Sequence, residues 1–277
     1  MNKFNKILVL AVLTTLVSAR TSCNSPSYYN SVNKKTGYSL KSELSRIISS
    51  THKNNSYDSL YRAYEMGDSD TTFDNDGTVL DIYSEDPNGA DPYNYTHFRK
   101  KCGNYKTESN CYNREHLFPQ SLFYKRSPMR SDYFHVVPTD GKVNGMRGSY
   151  PFGEVSEVTW KSRNGSKLGK SKDPKFRGMV FEPIDEFKGD VARALLYFAT
   201  RYERQITRFK EHAMTNGSSQ QVYTKWFLKT LVRWHQMDPV SDHERQRNEA
   251  GCRFQKNRNP YIDNPRWVMD VWEDAIL

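Results

Sequence analysis

The sequence has little cysteine and no arrangement of cysteine and histidine that is typical of a zinc site. Only 4 of its 277 residues are cysteine, and they form neither a Cys-x-x-Cys pair nor a Cys/His cluster. Tetrahedral Zn²⁺ sites in proteins are built from such closely spaced sulfur and imidazole ligands. This absence argues against a structural zinc site.

Long hydrophobic runs are also missing, except for one near the N-terminus. Residues 7–17 are apolar, Lys3 and Lys6 precede them, and Val17-Ser18-Ala19 places small residues where a signal peptidase would cut. The run is shorter than a bilayer-spanning helix requires. Residues 1–19 are therefore predicted to be a secretory signal peptide, and the protein to be exported, either secreted or periplasmic. The alternative is a buried N-terminal helix or strand.

The four cysteines are expected to meet an oxidising compartment, in which disulfides form. Cys102 and Cys111 enclose eight polar residues and are predicted to close them into a short loop. A second pair, Cys23 with Cys252, would tie the N-terminal tail to the C-terminal region, although nothing in the spacing requires it. As an alternative, Cys23 carries a lipid anchor, but Arg20 occupies the position where lipoprotein signals prefer leucine.

Acidic residues are outnumbered by basic ones. The chain has 41 lysines and arginines against 32 aspartates and glutamates, which gives a formal net charge of +9. Removing the predicted signal peptide, which carries two lysines, lowers this charge to +7. An exported basic protein is suited to a polyanionic partner. Charge alone is weak evidence, because many basic secreted proteins have no such partner.

The chain has no internal repeat and no clear linker after residue 37. Residues 20–37 are rich in Ser, Asn, Thr and Tyr and are predicted to be a flexible leader. Residues 38–277 are predicted to form a single domain of the α+β class. Apolar spacing and turn residues predict these elements within it: helices at 40–48, 57–65, 190–202 and 221–235, and a strand at 78–83.

The segment Tyr112–Pro119 places a carboxylate next to an imidazole. Glu115 offers a hard oxygen ligand for a cation, and His116 offers a base that is able to take a proton from water. Side chains of neighbouring strand residues diverge, but a strand that ends at Phe118-Pro119 could direct both into one site. Taken alone, an adjacent Glu-His pair is more often an ordinary surface pair.

A second segment, residues 131–148, offers another oxygen ligand. Its pattern predicts a strand at 133–137, a turn at 138–141 and a short helix that carries Asn144. An asparagine carbonyl is a ligand suited to Mg²⁺ or Ca²⁺, and Arg147 lies one helical turn away on the same face. Hydrolysis of a phosphodiester needs this combination of a base, cation ligands and basic side chains.

Further short motifs accompany these two segments in a fixed order. The first segment contains Asn113-Arg114-Glu115-His116-x-Phe118-Pro119, and the second contains Ser131-Asp132-x-x-His135 and Asp140-Gly141-x-Val143-Asn144-x-x-Arg147-Gly148. Later in the chain come Lys188–Arg193, Trp234–Val240 and Asn257–Pro260. Together these motifs resemble those of the bacterial endonuclease I family of exported nucleases. The resemblance covers roughly residues 57 to 270.

The resemblance implies a ββα-metal (His-Me finger) core surrounded by helices. It also implies cleavage of DNA, and of RNA as well, with little sequence preference and with 5′-phosphate products. Carried over to this chain, it implies that His116 is the general base and that Glu115 and Asn144 hold one Mg²⁺, with Mn²⁺ or Ca²⁺ as alternatives. Two protein ligands suit Mg²⁺, which gives up its hydration water reluctantly.

Arginines are the expected nucleic-acid contacts, because guanidinium groups bind phosphate bidentately. The candidates are Arg114, Arg147, Arg193 and Arg258, and Arg147 is expected to assist His116 in catalysis. A solvated helix residue is the ordinary alternative for Arg193.

One departure from the family pattern occurs at Phe134, where many relatives have histidine. This substitution excludes a metal or substrate role for that position. The next residue, His135, is interpreted as a structural histidine that orients its neighbours.

Two other classes of function remain open on the sequence. A basic exported protein could bind nucleic acid or other anionic polymers without cutting them, but Glu115, His116 and Asn144 would then be unexplained. A phospholipid hydrolase would need an exposed apolar segment, which this polar, arginine-rich chain lacks. The expected partner is therefore DNA, and RNA as well. The protein is expected to act as a monomer without a protein partner.

Overall fold

The computed structural model describes residues 22–102 and 105–277, so the signal peptide predicted at residues 1–19 lies outside the described residues. The described part contains both helices and strands, which confirms the α+β class. In chain order the elements are α1 (Gly37–Ser50), α2 (Leu60–Gly67), β1 (Tyr112–His116), β2 (Val136–Asp140), α3 (Gly141–Arg147), β3 (Val155–Lys161), β4 (Lys167–Ser171), β5 (Met179–Glu182), α4 (Lys188–Arg201), α5 (Lys225–Met237), α6 (Asp242–Gln255), α7 (Pro260–Asp263) and α8 (Trp267–Ile276).

Helix α4 lies at the centre of the hydrophobic core. Every residue of this helix except Asp190 is buried. A helix buried on all sides belongs to the interior of a domain rather than to its surface. It packs against α1 and α5, and the ring of Phe198 stacks on that of Phe118 with 4.2 Å between the ring centroids. Phe118 lies two residues beyond β1, so the core supports the end of that strand.

Strands β1 and β2 pair antiparallel, from Tyr112 opposite Asp140 to His116 opposite Val136. Helix α3 follows β2 directly, because the side chain of Asp140 accepts hydrogen bonds from the backbone N–H groups of Lys142 (2.7 Å) and Val143 (2.9 Å). Such capping satisfies N–H groups that a helix start leaves unpaired. The helix that begins there carries Asn144 and Arg147.

The predicted strand at 133–137 lies three residues further along the chain. Tyr133–His135 form a 3₁₀ turn instead, because Asp132 caps it by accepting the backbone N–H of Phe134. The strand therefore begins only at Val136 and includes Pro138, which lies opposite Arg114. Proline is tolerated there because each strand of a two-stranded sheet has a free edge.

The predicted strand at 78–83 is wrong. Val79 forms only an isolated bridge with Ser69, and the chain then turns at Asp81. One oxygen of this carboxylate accepts the backbone N–H of Tyr83 at 2.8 Å, and the other accepts that of Asp140 at 2.6 Å. The segment is thus a loop that is fastened to the start of α3.

The other predicted helices exist with shifted ends. Those expected at 57–65 and 221–235 are α2 and α5, and the one expected at 190–202 begins at Lys188, so that Asp190 lies in the first turn and is not the N-cap. The antiparallel sheet β3-β4-β5 and helices α6 and α8 were not predicted from the sequence.

The described part of the predicted flexible leader, residues 22–37, is anchored to the rest of the protein at a few points, although most of its residues are exposed. Cys23 forms a disulfide with Cys252 of α6, Tyr28 is buried, and the Tyr29 hydroxyl donates to Asp263 at 2.7 Å. A sulfur in a disulfide cannot also carry a thioether-linked lipid, so the alternative of a lipid anchor at Cys23 is not supported.

The predicted disulfide between Cys102 and Cys111 is confirmed. It closes the loop that leads directly into β1. Across the described ranges, the structure has no helix that is both long and apolar enough to cross a membrane.

Candidate active site

A polar cleft of about 400 Å³ is lined by residues of β1 and α3. Glu115 and His116 reach it from the strand, and Asn144 reaches it from the helix. Antiparallel pairing of β1 with β2, and the immediate start of α3 after β2, bring these elements together. The three residues that the sequence predicted as base and cation ligands therefore share one cleft.

His116 is held in a single tautomer. Its Nε2 lies 3.0 Å from the backbone carbonyl oxygen of Arg130. Because a carbonyl oxygen only accepts hydrogen bonds, Nε2 carries the proton and Nδ1 retains its lone pair. Burial, and then the nearby His135, hold the pKa of His116 well below its usual value. The imidazole is therefore neutral and able to accept a proton at Nδ1.

His135 lies behind His116 in the interior. It is fully buried, its Nε2 donates to the carbonyl oxygen of Met129 at 2.6 Å, and its ring contacts that of His116 edge-on. Burial lowers the pKa of His135 to about 4. These contacts agree with its interpretation as a structural histidine, although it lies in the turn before β2 and not in the strand.

Glu115 is only 2% exposed and has two side-chain partners. Its Oε1 accepts a hydrogen bond from the Tyr83 hydroxyl at 3.3 Å and forms an ion pair with Arg147 at 3.0 Å. Burial raises the pKa of Glu115, and the charge of Arg147 opposes that rise. Because both partners contact Oε1, Oε2 has no side-chain partner among the described residues and is left as a ligand atom.

Asn144 is oriented by a second asparagine. Its Nδ2 donates to Oδ1 of Asn113 at 2.7 Å. The contact uses the amide nitrogen of Asn144 and leaves its Oδ1 as the free acceptor. The donor atoms that remain are thus a carboxylate and an amide oxygen in a roomy polar cleft. Hard oxygen ligands of this kind fit a hydrated Mg²⁺ ion.

Arg147 does not have the predicted role of a phosphate contact. It is only 1% exposed. Besides Glu115, its guanidinium binds the carbonyl oxygens of His116 (2.9 Å) and Leu117 (2.5 Å), and Nε has no partner but is also buried. Arg147 therefore holds Glu115 and the end of β1 in place.

The surroundings of Arg193 do not support the phosphate contact predicted for it. This side chain is fully buried, and both oxygens of Glu244 accept its hydrogen bonds at 2.6 Å. The polar side of α4 faces another helix and not solvent. Arg258 does not line the cleft and is paired with Asp263 and Glu249. The guanidinium of Arg193 is thus committed to buried contacts, and that of Arg258 is held by two carboxylates away from the cleft.

Arg114 does line the cleft. Its guanidinium lies 3.5 Å from the ring centroid of Tyr57 and pairs at 2.8 Å with Asp58, whose side chain is almost fully exposed. The guanidinium also donates to the carbonyl oxygen of Tyr57 at 3.0 Å. Lys125 also lines the cleft and is exposed, and it was not predicted from the sequence.

Tyr83, Asn113 and the carbonyl group of Arg130 were also missed. Tyr83 contacts Glu115, the carbonyl group of Arg130 contacts His116, and Asn113 contacts Asn144. Only Asn113 could have been identified from the local sequence, because it lies two residues before Glu115 and therefore on the same face of the strand.

The sequence similarity of this chain to known proteins includes the residues that line the cleft. A family model described as Endonuclease I matches residues 36–266, a range that includes every residue lining the cleft. The chain is 32% identical over 267 residues to a protein named extracellular ribonuclease from Bacillus subtilis (strain 168). That alignment covers 95% of this chain and 84% of the relative. A protein of the same name from Bacillus amyloliquefaciens is 32% identical over 256 residues, covering 91% and 80%. A protein named Endonuclease-1 from Buchnera aphidicola subsp. Baizongia pistaciae (strain Bp) is 21% identical over 139 residues, covering 50% and 49%.

Proposed function

The chain belongs to the endonuclease I family, and we propose that it is an exported nuclease that hydrolyses phosphodiester bonds of both DNA and RNA with little sequence preference. The family and the extracellular relatives support a phosphodiester hydrolase that acts outside the cell. Two relatives are named ribonuclease, which supports RNA as a substrate beside DNA. The observation that carries the proposal is a neutral, buried imidazole, that of His116, beside a carboxylate in a polar cleft.

His116 is proposed to be the general base. Its Nε2 proton is committed to the carbonyl oxygen of Arg130, so Nδ1 is the atom that takes the proton from the attacking water. The water oxygen forms a bond to phosphorus, and the bond from phosphorus to the 3′-oxygen of the upstream nucleotide breaks. That oxygen takes a proton from solvent and leaves as a hydroxyl group, and the phosphate stays on the 5′-oxygen of the downstream nucleotide. A positioned base of this kind contributes about 10²–10⁴ to the rate.

Glu115 and Asn144 are proposed to hold one Mg²⁺ within the ββα-metal core formed by β1, β2 and α3. When bound, the ion neutralises charge on the phosphoryl and leaving oxygens. Arg147 and Tyr83 both bind Oε1 of Glu115 and so keep the carboxylate in one orientation. Asn113 does the same for the amide of Asn144. Mn²⁺ and Ca²⁺ are the alternatives to be compared.

Arg114 and Lys125 are proposed to contact the nucleic-acid backbone at the rim of the cleft. Lys125 is exposed, and the carboxylate that pairs with Arg114 is exposed as well. Contacts to phosphate carry no sequence information, which agrees with a nuclease of low specificity. No step in this reaction requires a second copy of the chain, so the monomer is the proposed active form.

The proposal is tested with the purified protein on supercoiled plasmid and on end-labelled RNA. Mg²⁺ or Mn²⁺ is expected to support cleavage of both, with 5′-phosphate ends, and EDTA to abolish it. His116→Ala is expected to lose cleavage, whereas His97→Ala, which changes a histidine outside the cleft, is expected to retain it. Full activity in chelated buffer would overturn the metal assignment. Tight binding without cleavage in every metal would favour a binding protein, and release of phospholipid headgroups from vesicles would favour a lipid hydrolase.

A further inference from the structure

A second polar cavity lies between α1 and the end of α4, outside the active-site cleft. It has a volume of about 320 Å³ and shares no lining residue with the cleft. Four serines and Arg46, all on one face of α1, form one wall, and Arg201, Arg204 and Gln205 form the other. The described residues that line it thus include three arginines and no acidic residue. Cavities of this size are large enough for a small molecule or for part of a larger one.

Arg201, the last residue of α4, is buried at this cavity without an ionic partner. It is only 8% exposed, yet no carboxylate in the described part of the chain forms an ion pair with it. Its Nη1 donates to Oγ of Ser49 at 2.9 Å, its Nε is buried without a partner, and its Nη2 forms no hydrogen bond among the described residues. Buried charged groups normally have their donors paired, because an unpaired one is costly. An anion in the cavity would complete the contacts of this guanidinium.

Two carboxylates near this end of α4 do not take the place of such an anion. Glu203 is paired with the buried Lys41 at 2.9 Å. Asp132, whose charge also acts on Arg201, accepts hydrogen bonds from two tyrosine hydroxyl groups at 2.9 and 2.7 Å and forms no ion pair with the arginine. The positive charge of Arg201 is therefore not cancelled by direct contact.

The other groups at the cavity add hydrogen-bond donors. The hydroxyl oxygen of Ser49 accepts from Arg201, so its own proton remains for a ligand. Arg204 is exposed, and the side chain of Arg46 is 59% exposed although it pairs with Glu43. Guanidinium and hydroxyl donors around one cavity match the oxygens of a phosphate group.

The loop after α4 connects this cavity with the rim of the active-site cleft. Arg204 lines the cavity, and further along the loop the backbone N–H of Lys210 donates to the carbonyl oxygen of Leu122 at 3.0 Å. Leu122 lies in the same segment as Lys125, which lines the cleft. Arg204, Arg208 and Lys210 are exposed, and within residues 22–102 and 105–277 none of them forms an ion pair. Exposed positive charge therefore continues from the cavity to the cleft.

We propose that this cavity binds a phosphate group, with Arg201, Arg204 and Ser49 as its donors. The exposed cations on the connecting loop favour the backbone of a nucleic acid as the source of that phosphate, and this part rests on the proposed nuclease function. Free inorganic phosphate has the same chemistry and is the other source. A backbone phosphate in the cavity would hold a long substrate at a second point without reading its bases.

Phosphate binding is measured by calorimetric titration of inorganic phosphate into the Arg114→Ala protein in EDTA. This variant lacks the arginine at the cleft, so the titration reports binding elsewhere. One site is expected, and saturation is expected to raise Tm, because the ligand binds the folded state. Adding Arg201→Gln or Arg204→Ala is expected to weaken binding about tenfold, the usual effect of losing a hydrogen bond to a charged group. The matched control is Arg245→Ala, an exposed arginine of α6 outside both cavities, and it is expected to bind like its parent.

Nucleic-acid binding is measured with the His116→Ala protein in EDTA, so that the strand stays intact. The probe is a labelled single-stranded DNA of about 30 nucleotides, which is longer than one binding site on a typical single-strand-binding domain. Adding Arg204→Ala is expected to raise Kd about tenfold and to lower the slope of log Kd against log salt concentration by about 0.7, the value for one phosphate contact. Arg204 is exposed, so this variant is expected to fold even where Arg201→Gln is unstable.

Loss of both phosphate binding and DNA affinity in the Arg204→Ala protein would assign the cavity to the nucleic-acid backbone. Loss of phosphate binding alone would assign it to free phosphate and overturn the nucleic-acid source. Absence of binding at millimolar phosphate would overturn the whole proposal, as would equal phosphate binding by Arg204→Ala and Arg245→Ala. Neither measurement depends on cleavage, so failure of this site and failure of the proposed nuclease are distinguishable.

Discussion

The orientation of Asn144 depends on one contact, its hydrogen bond to Asn113 at 2.7 Å. Asn113→Ala removes the acceptor of that bond. The amide of Asn144 is then free to turn over and to present its nitrogen, which is not a cation ligand, in place of Oδ1. We therefore expect the variant to fold normally and to bind the catalytic metal more weakly.

The size of the effect follows from the bond that is lost. A hydrogen bond between neutral groups contributes about 0.5–1.5 kcal/mol net. Because 1.4 kcal/mol corresponds to a tenfold change in an equilibrium constant, the metal concentration at half-maximal cleavage is expected to rise about 2- to 13-fold. The turnover rate at saturating metal is expected to change little, because His116 and Glu115 keep their own contacts.

The assay is plasmid cleavage across a Mg²⁺ series, with kcat measured at saturating metal. Asn113→Asp is the matched control, because its carboxylate accepts the same N–H and its midpoint is expected to stay at or below that of the parent. An unchanged midpoint in Asn113→Ala would refute the reasoning. A fall in kcat with an unmoved midpoint would place Asn113 against the substrate and not behind Asn144.

Three further changes separate chemistry from stability. His116→Ala is expected to lose about 10²–10⁴ in turnover while filter binding of DNA persists, and near-normal turnover would assign the base elsewhere. Cys102→Ser with Cys111→Ser is expected to cost about 2–3 kcal/mol in the free energy of unfolding, from the closure entropy of a short loop, and an unchanged denaturation midpoint would contradict this. Arg193→Ala is expected to lower the free energy of unfolding by about 3–5 kcal/mol, because Glu244 is left buried and unpaired. The DNA affinity of the folded fraction is expected to stay unchanged.

The sequence identified the residues that converge on the cleft better than it identified their surroundings. Glu115, His116 and Asn144 lie in short motifs whose order is informative, and the ββα order of their elements follows from local patterns. Whether an arginine is exposed cannot be predicted from its neighbours in the sequence. Arg193 has polar spacing on its helix, yet α4 is buried on all sides because other helices cover the face that spacing alone predicts to be solvated.

The contacts that tune the site are equally long-range. Tyr83 reaches Glu115 from a loop 32 residues earlier, and Cys23 pairs with Cys252 across 229 residues. No periodicity or composition relates such positions. The composition of residues 20–37 therefore suggested flexibility, although the disulfide of Cys23, the buried Tyr28 and the contact of Tyr29 with Asp263 anchor the described part of that segment.

Arg147 links these observations, because among the described residues it is the cation that forms an ion pair with Glu115. A carboxylate as buried as Glu115 has a raised pKa, and a protonated carboxyl is a poor cation ligand. The ion pair with Arg147 favours the charged form, so the ligand stays available although water is excluded from it. The same positive charge opposes tight binding of a second cation at that carboxylate. A buried arginine in this position thus favours the ionised form of Glu115, and its guanidinium is enclosed by backbone carbonyl groups.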